Sequence, residues 1–159
     1  MNNHAPAPSE EEIREIVAGF ATLEGPLLPM LHALQHQYGH IPANAVQVLA
    51  DLLNLGRAEV HGVVSFYHDF RDAPAGKHVL KICRAEACQS MGANVLAAEV
   101  LDKLGLDWHG TTPDGRVTVE PVYCLGMCAC APAAMMDDKI VARVDGARID
   151  RLLQEVGAA

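Results

Sequence analysis

The sequence predicts an α+β protein: an N-terminal helical bundle followed by a small α/β domain with a mixed sheet. Three observations carry this. Apolar residues recur at helical spacing through the first seventy positions. A breaker run, Asp72-Ala73-Pro74-Ala75-Gly76, then interrupts the pattern. Beyond it, short alternating stretches take turns with one longer helical stretch, which is the signature of a sheet packed against helices.

The elements follow in order. Residues 1–8 read as a flexible tail rich in Ala, Pro and Asn. Ser9 opens the first helix, with Glu12 completing a capping box and Ile13, Ile16, Val17 and Phe20 on its apolar side. Gly25-Pro26 breaks the chain. Leu27, Leu28, Leu31 and Leu34 mark a second helix ending near Gly39. Pro42 opens a third, carrying Val46, Val48, Leu49, Leu52, Leu53 and Leu55 and stopping near Gly56. A fourth spans about Arg57 to Tyr67. Residues 9–71 are thus expected to form a helical bundle domain.

The second domain is expected over 77–159. His78 to Cys83 reads as a strand ending on a cysteine, and Gly92 to Leu104 as a helix stopped by Gly105. Val117 to Glu120 alternates like a strand. A loop from Cys124 to Pro132 follows. Ala133 to Met136 and Ile140 to Val144 read as strands joined at Asp137-Asp138-Lys139, and a last helix covers about Arg148 to Val156.

Composition bounds the function. Half the residues are apolar, which argues for a packed core, and the net charge of −8 with few aromatics argues against nucleic-acid binding. Met1 to Ser9 lacks the charged and apolar regions of an export signal. No apolar run approaches the roughly eighteen residues of a membrane span. A cytoplasmic chain is expected, in which paired cysteines are metal ligands more often than disulfides. There is no G-x-G-x-x-G, P-loop, nucleophile elbow or H-E-x-x-H. The chain therefore offers no means of binding a nucleotide or turning over a substrate alone.

Four of the five cysteines fall in two pairs, Cys83-x4-Cys88 and Cys124-x3-Cys128. Four thiolates suit a [2Fe–2S] cluster or a closed zinc site. Structural zinc favours tight C-x2-C knuckles, whereas these wider pairs suit two irons, each taking one pair. Each pair is expected in a loop directly after a strand, where backbone amides can donate to the sulfurs and stabilise the cluster's negative charge. Gly126 allows close backbone approach, Leu125 and Met127 screen the sulfurs, and Arg84 offers positive charge. A zinc-stabilised adaptor is the competing reading; a thiol–disulfide enzyme lacks its C-x-x-C, and inert core cysteines do not fit loop positions. Cys130 reads as a small packed residue. His32, His36 and His40, at i, i+4 and i+8, share a helix face and read as a solvated or partner-facing surface.

The whole pattern resembles the thioredoxin-like [2Fe–2S] subunit family, the complex I 24 kDa subunit family, whose members accompany a flavin- and NADH-binding subunit. The resemblance rests on Leu28-Pro29-Met30-Leu31, on Gln35-x-x-Tyr38-Gly39-x-Ile41-Pro42, on Glu59-Val60-His61-Gly62-Val63-Val64-Ser65-Phe66-Tyr67, and on Cys124-Leu125-Gly126-x-Cys128-x-x-Ala131-Pro132. It implies a helical bundle followed by a thioredoxin-like α/β [2Fe–2S] ferredoxin domain, with Cys83, Cys88, Cys124 and Cys128 as ligands. Cys83 to Gly92 most resembles the gamma subunit of NAD-dependent formate dehydrogenase. That implies a non-catalytic electron-transfer subunit, with FMN and molybdenum cofactor held only in partner subunits: the flavin/NADH-binding subunit and a molybdenum- and iron–sulfur-containing catalytic subunit. The equivalent subunit of an NADH:quinone oxidoreductase or NAD-reducing hydrogenase is the alternative.

Overall fold

The computed structural model describes residues 7–158, so the expected tail lies outside the described residues except for Ala7 and Pro8. Pro8 is anchored, because its carbonyl accepts a hydrogen bond from the Asn44 side-chain amide at 2.7 Å. The chain divides into two compact units between Pro74 and Ala75.

The first unit is helical. Helix α1 (Glu10–Val17) begins with the reciprocal cap expected at Ser9: the Glu12 carboxylate accepts from the Ser9 N–H, and the Ser9 hydroxyl accepts from the Glu12 N–H. Helix α2 (Leu27–Tyr38) ends on Gly39 at φ +74°. Helix α3 covers Ala45–Leu53, starting after Pro42 rather than at it. It stops at Asn54 (φ +52°), one of the few residue types that tolerates the left-handed region. Gly56 does not end α3; it begins α4 (Arg57–Phe66), its N–H held by the Glu59 carboxylate. Ile13, Met30, Leu31, Leu34, Leu49 and Val60 form the fully buried centre. Burying each such side chain contributes about 1.5–3 kcal/mol.

The second unit is a four-stranded mixed sheet carrying helices on one face. Strands β1 (His78–Cys83), β2 (Val117–Val122), β3 (Ala133–Met136) and β4 (Lys139–Ala142) lie in the order β2-β1-β3-β4. Strands β1 and β2 are parallel, and the other two pairings are antiparallel. Helix α5 (Glu86–Ser90) is an addition to the expected elements, too short for periodicity to reveal. Helices α6 (Ala93–Leu104) and α7 (Gly146–Glu155) follow. Leu80, Ile82, Val117 and Val119 share one face of the sheet and pack with Leu96, Val100, Ile149 and Leu153 of α6 and α7. Strand β2 runs two residues past the expected stretch, through Pro121 to Val122, and β4 ends at Ala142. Helix α7 starts two residues early because Asp145 caps it, accepting from the Arg148 N–H.

Candidate functional site

The parallel register places Cys83 opposite Val122. Both cysteine loops therefore leave the sheet from the same end of neighbouring strands. Cys83 is the last residue of β1, and the Arg84 N–H donates to the Val122 carbonyl at 2.7 Å, extending the lock one residue further. Cys88 does not lie in a loop, as the sequence suggested, but on α5, whose start turns it back against Cys83. The two are buried at 2 % and 1 % exposure in a small cluster with Ala93 and Ala133.

Cys124 and Cys128 are exposed. Cys124 adopts φ +132° and Gly126 φ +74°, so a rarely occupied backbone conformation shapes this loop. The result is functional geometry: the Gly126 N–H donates to Cys124 Sγ at 3.3 Å, and the Cys124 and Cys128 sulfurs stand 3.8 Å apart. A tetrahedral metal with metal–sulfur bonds of about 2.3 Å requires its two thiolates about 3.8 Å apart. The pair is pre-spaced for one metal centre. Cys128 opens a 3₁₀ turn (Cys128–Cys130).

The two pairs meet. Burial, and then a hydrogen bond with Cys83, push the Cys88 thiol above its ordinary pKa; the Ala133 N–H opposes this by donating to it, and the charge of Cys128 adds to it. The hydrogen bond and charge of Cys124 push the Cys128 thiol up, with Cys83 adding its own repulsion. A raised pKa disfavours the thiolates of Cys88 and Cys128, and a bound cation would favour them. Among the described residues no three His, Cys, Asp or Glu side chains converge as for a single metal ion. The sulfurs come as pairs, an arrangement that fits the two irons of a [2Fe–2S] cluster, with amide donors from Gly126 and Ala133 on two of them.

Arg84 departs from expectation. Its guanidinium carbon sits 5.3 Å from the centroid of the Trp108 ring, and its buried Nε has no hydrogen-bond partner. Its charge is engaged with the aromatic face. Leu125 packs partly buried against the Cys83–Cys88 cluster, as its screening role requires, while Met127 is 37 % exposed. Cys130 is half-buried; its N–H donates to the Met127 carbonyl and its carbonyl accepts from the Arg143 N–H. The histidines do not form one stripe. His32 packs against Phe70 with the rings tilted and their centroids 4.9 Å apart, and His40 lies beyond the end of α2 with Nδ1 on the Tyr38 carbonyl. Sequence reasoning missed the Ala133 amide and the Arg84–Trp108 contact, since neither leaves a periodic or spaced signal.

The chain matches known proteins along nearly its whole length. The family model described as thioredoxin-like [2Fe-2S] ferredoxin matches residues 13–157. The chain is 33 % identical over 150 residues to the NADP-reducing hydrogenase subunit HndA of Solidesulfovibrio fructosivorans, covering 94 % of this chain and 88 % of that one. It is 32 % identical over 149 residues to an NADH-quinone oxidoreductase subunit of Rhizobium meliloti (strain 1021), covering 94 % and 89 %. The crystal structure of an NAD+-reducing [NiFe]-hydrogenase in the air-oxidized state superimposes with a TM-score of 0.65 at 26 % identity, over 80 % of this chain and 22 % of that much longer one. No helix among the described residues is long and apolar enough to cross a membrane. The family holds a [2Fe–2S] cluster, the thiolate pairs here fit one, and the chain belongs to the thioredoxin-like [2Fe–2S] ferredoxin family.

Proposed function

We propose that this chain is the one-electron relay of a cytoplasmic NAD-linked formate dehydrogenase complex, in which formate and NAD⁺ give CO₂ and NADH. The cluster ligands are Cys83, Cys88, Cys124 and Cys128. The observation that carries the relay role is the 3.8 Å spacing of Cys124 and Cys128 beside the buried Cys83–Cys88 pair. The width of both pairs in sequence, x4 and x3 where structural zinc favours x2, supports two irons over a zinc-stabilised adaptor.

When bound, the cluster supplies a centre that accepts and returns single electrons. The residues of the chain set the conditions for this. Cys83 and Cys88 anchor one side in a dry pocket, where Ala93 and Ala133 exclude water. The Gly126 and Ala133 amides donate to sulfur and offset added negative charge. Exposed Cys124 and Cys128 leave one side open toward a partner. Hydride transfer moves two electrons, so a flavin in a partner subunit must stand between NAD and a one-electron centre. Formate oxidation belongs to a partner holding molybdenum and iron–sulfur centres. Residues 9–71 serve as the docking module and 77–159 as the cluster domain.

The formate assignment rests on the likeness of Cys83 to Gly92 to the formate dehydrogenase gamma subunit. A second reading has its own support: HndA and the Rhizobium meliloti relative are named for hydrogenase and NADH-quinone oxidoreductase complexes. The deciding experiment is purification of the native complex through this chain. Molybdenum together with formate-dependent NAD⁺ reduction is the expected result. Nickel with hydrogen-dependent reduction, or quinone-reducing membrane subunits, would replace the formate reading. A colourless chain with stoichiometric zinc would remove the relay role itself.

A further inference from the structure

Helix α7 is amphipathic. It turns Ile149, Leu152 and Leu153 into the core and carries Arg148 and Arg151, three apart on one exposed side. Lys139, at the start of edge strand β4, lines the same groove of about 410 Å³, with Met127, Ile140 and Glu155. None of the three cations takes part in an ion pair among the described residues, whereas Lys103, Arg116 and Lys81 each have a carboxylate partner. Glu155, also on the groove wall, is the opposing charge and pairs with none of them within 4.0 Å.

The chain as a whole carries −8, with 12 Lys and Arg against 20 Asp and Glu. A groove gathering three unpaired cations inverts that balance locally. Long-range repulsion from the rest of the surface disfavours a highly charged polyanion, while short-range pairing still rewards a few carboxylates that reach the groove. Arg148 and Arg151 offer planar forks suited to carboxylates. Ile140 is 47 % and Met127 37 % exposed, so the groove also presents apolar contacts. Met127 directly precedes Cys128, so an occupant reaching it lies beside the exposed half of the cysteine site.

We propose that the Lys139–Arg148–Arg151 groove docks an acidic, leucine-bearing segment of a partner protein beside the second cysteine loop. This rests on the reading of the chain as a subunit of a larger complex. The occupant places carboxylates on Arg148, Arg151 and Lys139 and an aliphatic side chain between Ile140 and Met127.

The test uses the cluster-loaded full-length chain and a fluorescein-labelled Glu-Glu-Leu-Glu-Glu-Leu peptide, followed by anisotropy. Saturable binding is expected, weakened by raising salt and at least tenfold weaker in the Arg148→Glu/Arg151→Glu variant, whose visible spectrum stays that of the parent. Absence of saturable binding, or undiminished binding by the variant, overturns the proposal. So does tighter, variant-sensitive binding of oligothymidylate or phosphatidylserine vesicles, which would assign the groove to nucleic acid or membrane. The subunit reading is judged separately by co-purification of a flavoprotein. Loss of that partner with peptide binding retained removes the reading and leaves the groove. Full retention of the partner by the double variant, with no peptide binding by the parent, does the reverse.

Discussion

The guanidinium of Arg84 lies over the ring of Trp108, 5.3 Å from its centroid, one residue beyond buried Cys83. Trp108 is the sole tryptophan and packs against the sheet core. A cation over indole contributes about 0.5–2 kcal/mol, more as it is desolvated. Replacing Arg84 by Ala is expected to shift Trp108 emission and lower the denaturation midpoint by that order. An unchanged emission spectrum in Arg84→Ala would show that the contact does not persist in solution.

The ligand assignment has a direct check. The parent chain should hold iron and acid-labile sulfide, about two of each. Serine at position 83, 88, 124 or 128 should abolish or strongly reduce both, while Cys130→Ser should keep them. Chemical analysis and the visible spectrum read the result; equal loss in Cys130→Ser would make Cys130 a fifth participant.

Gly126 tests the loop. No atom lies within 4 Å of a Cβ built there, so Gly126→Ala meets no clash; only its φ of +74° penalises the change. The expected cost is about 1–2 kcal/mol, seen as slower reconstitution with iron and sulfide and a lower melting temperature. Wild-type reconstitution kinetics and melting temperature would mean that the left-handed conformation at Gly126 carries no such cost.

The turn before β2 predicts a pH effect. The Thr112 hydroxyl, the Arg116 N–H and the Arg116 side chain hold the Asp114 carboxyl below its ordinary 3.8. A depressed pKa contributes stability that is present above the ordinary value and is lost as pH falls through the depressed one. Asp114→Asn should flatten the acid limb of the stability profile below the ordinary carboxyl value of 3.8, measured by urea denaturation across pH. A parent and variant with parallel acid limbs would dismiss the role of this turn.

The division at Pro74 and Ala75 predicts that a chain beginning at Ala75 folds and assembles the cluster but loses flavoprotein binding. Circular dichroism, iron content and co-purification report on the three parts. A folded fragment without iron would tie the helical unit to the cysteine cage.

Much of the molecule is legible in its sequence, and the residues say why. Ser9 and Glu12 cap α1 through contacts three residues apart, and Gly39 and Gly105 stop helices through their own backbone freedom, so such features are local. The grouping of the cysteines into two pairs is legible because their spacing is written in the chain. Helix α5 escapes notice because five residues hold too little periodicity, and Cys88 moves from loop to helix with it. The end of α3 falls before the expected stop near Gly56 because Asn54 adopts the left-handed cap. Arg84's engagement with Trp108 and the gathering of Lys139, Arg148 and Arg151 depend on the fold bringing distant positions together, which no local pattern records.

The parallel pairing of β1 with β2 carries a consequence for engineering. Cys83 and the approach to Cys124 are held by adjacent ladder ends, so their alignment does not depend on the chain being continuous through the exposed turn 113–115. Cutting the chain at the exposed turn 113–115 and joining the old termini through a flexible linker changes the order in which the cysteines are synthesised. The two loops still emerge side by side, because hydrogen bonds between the strands align them whichever half leaves the ribosome first.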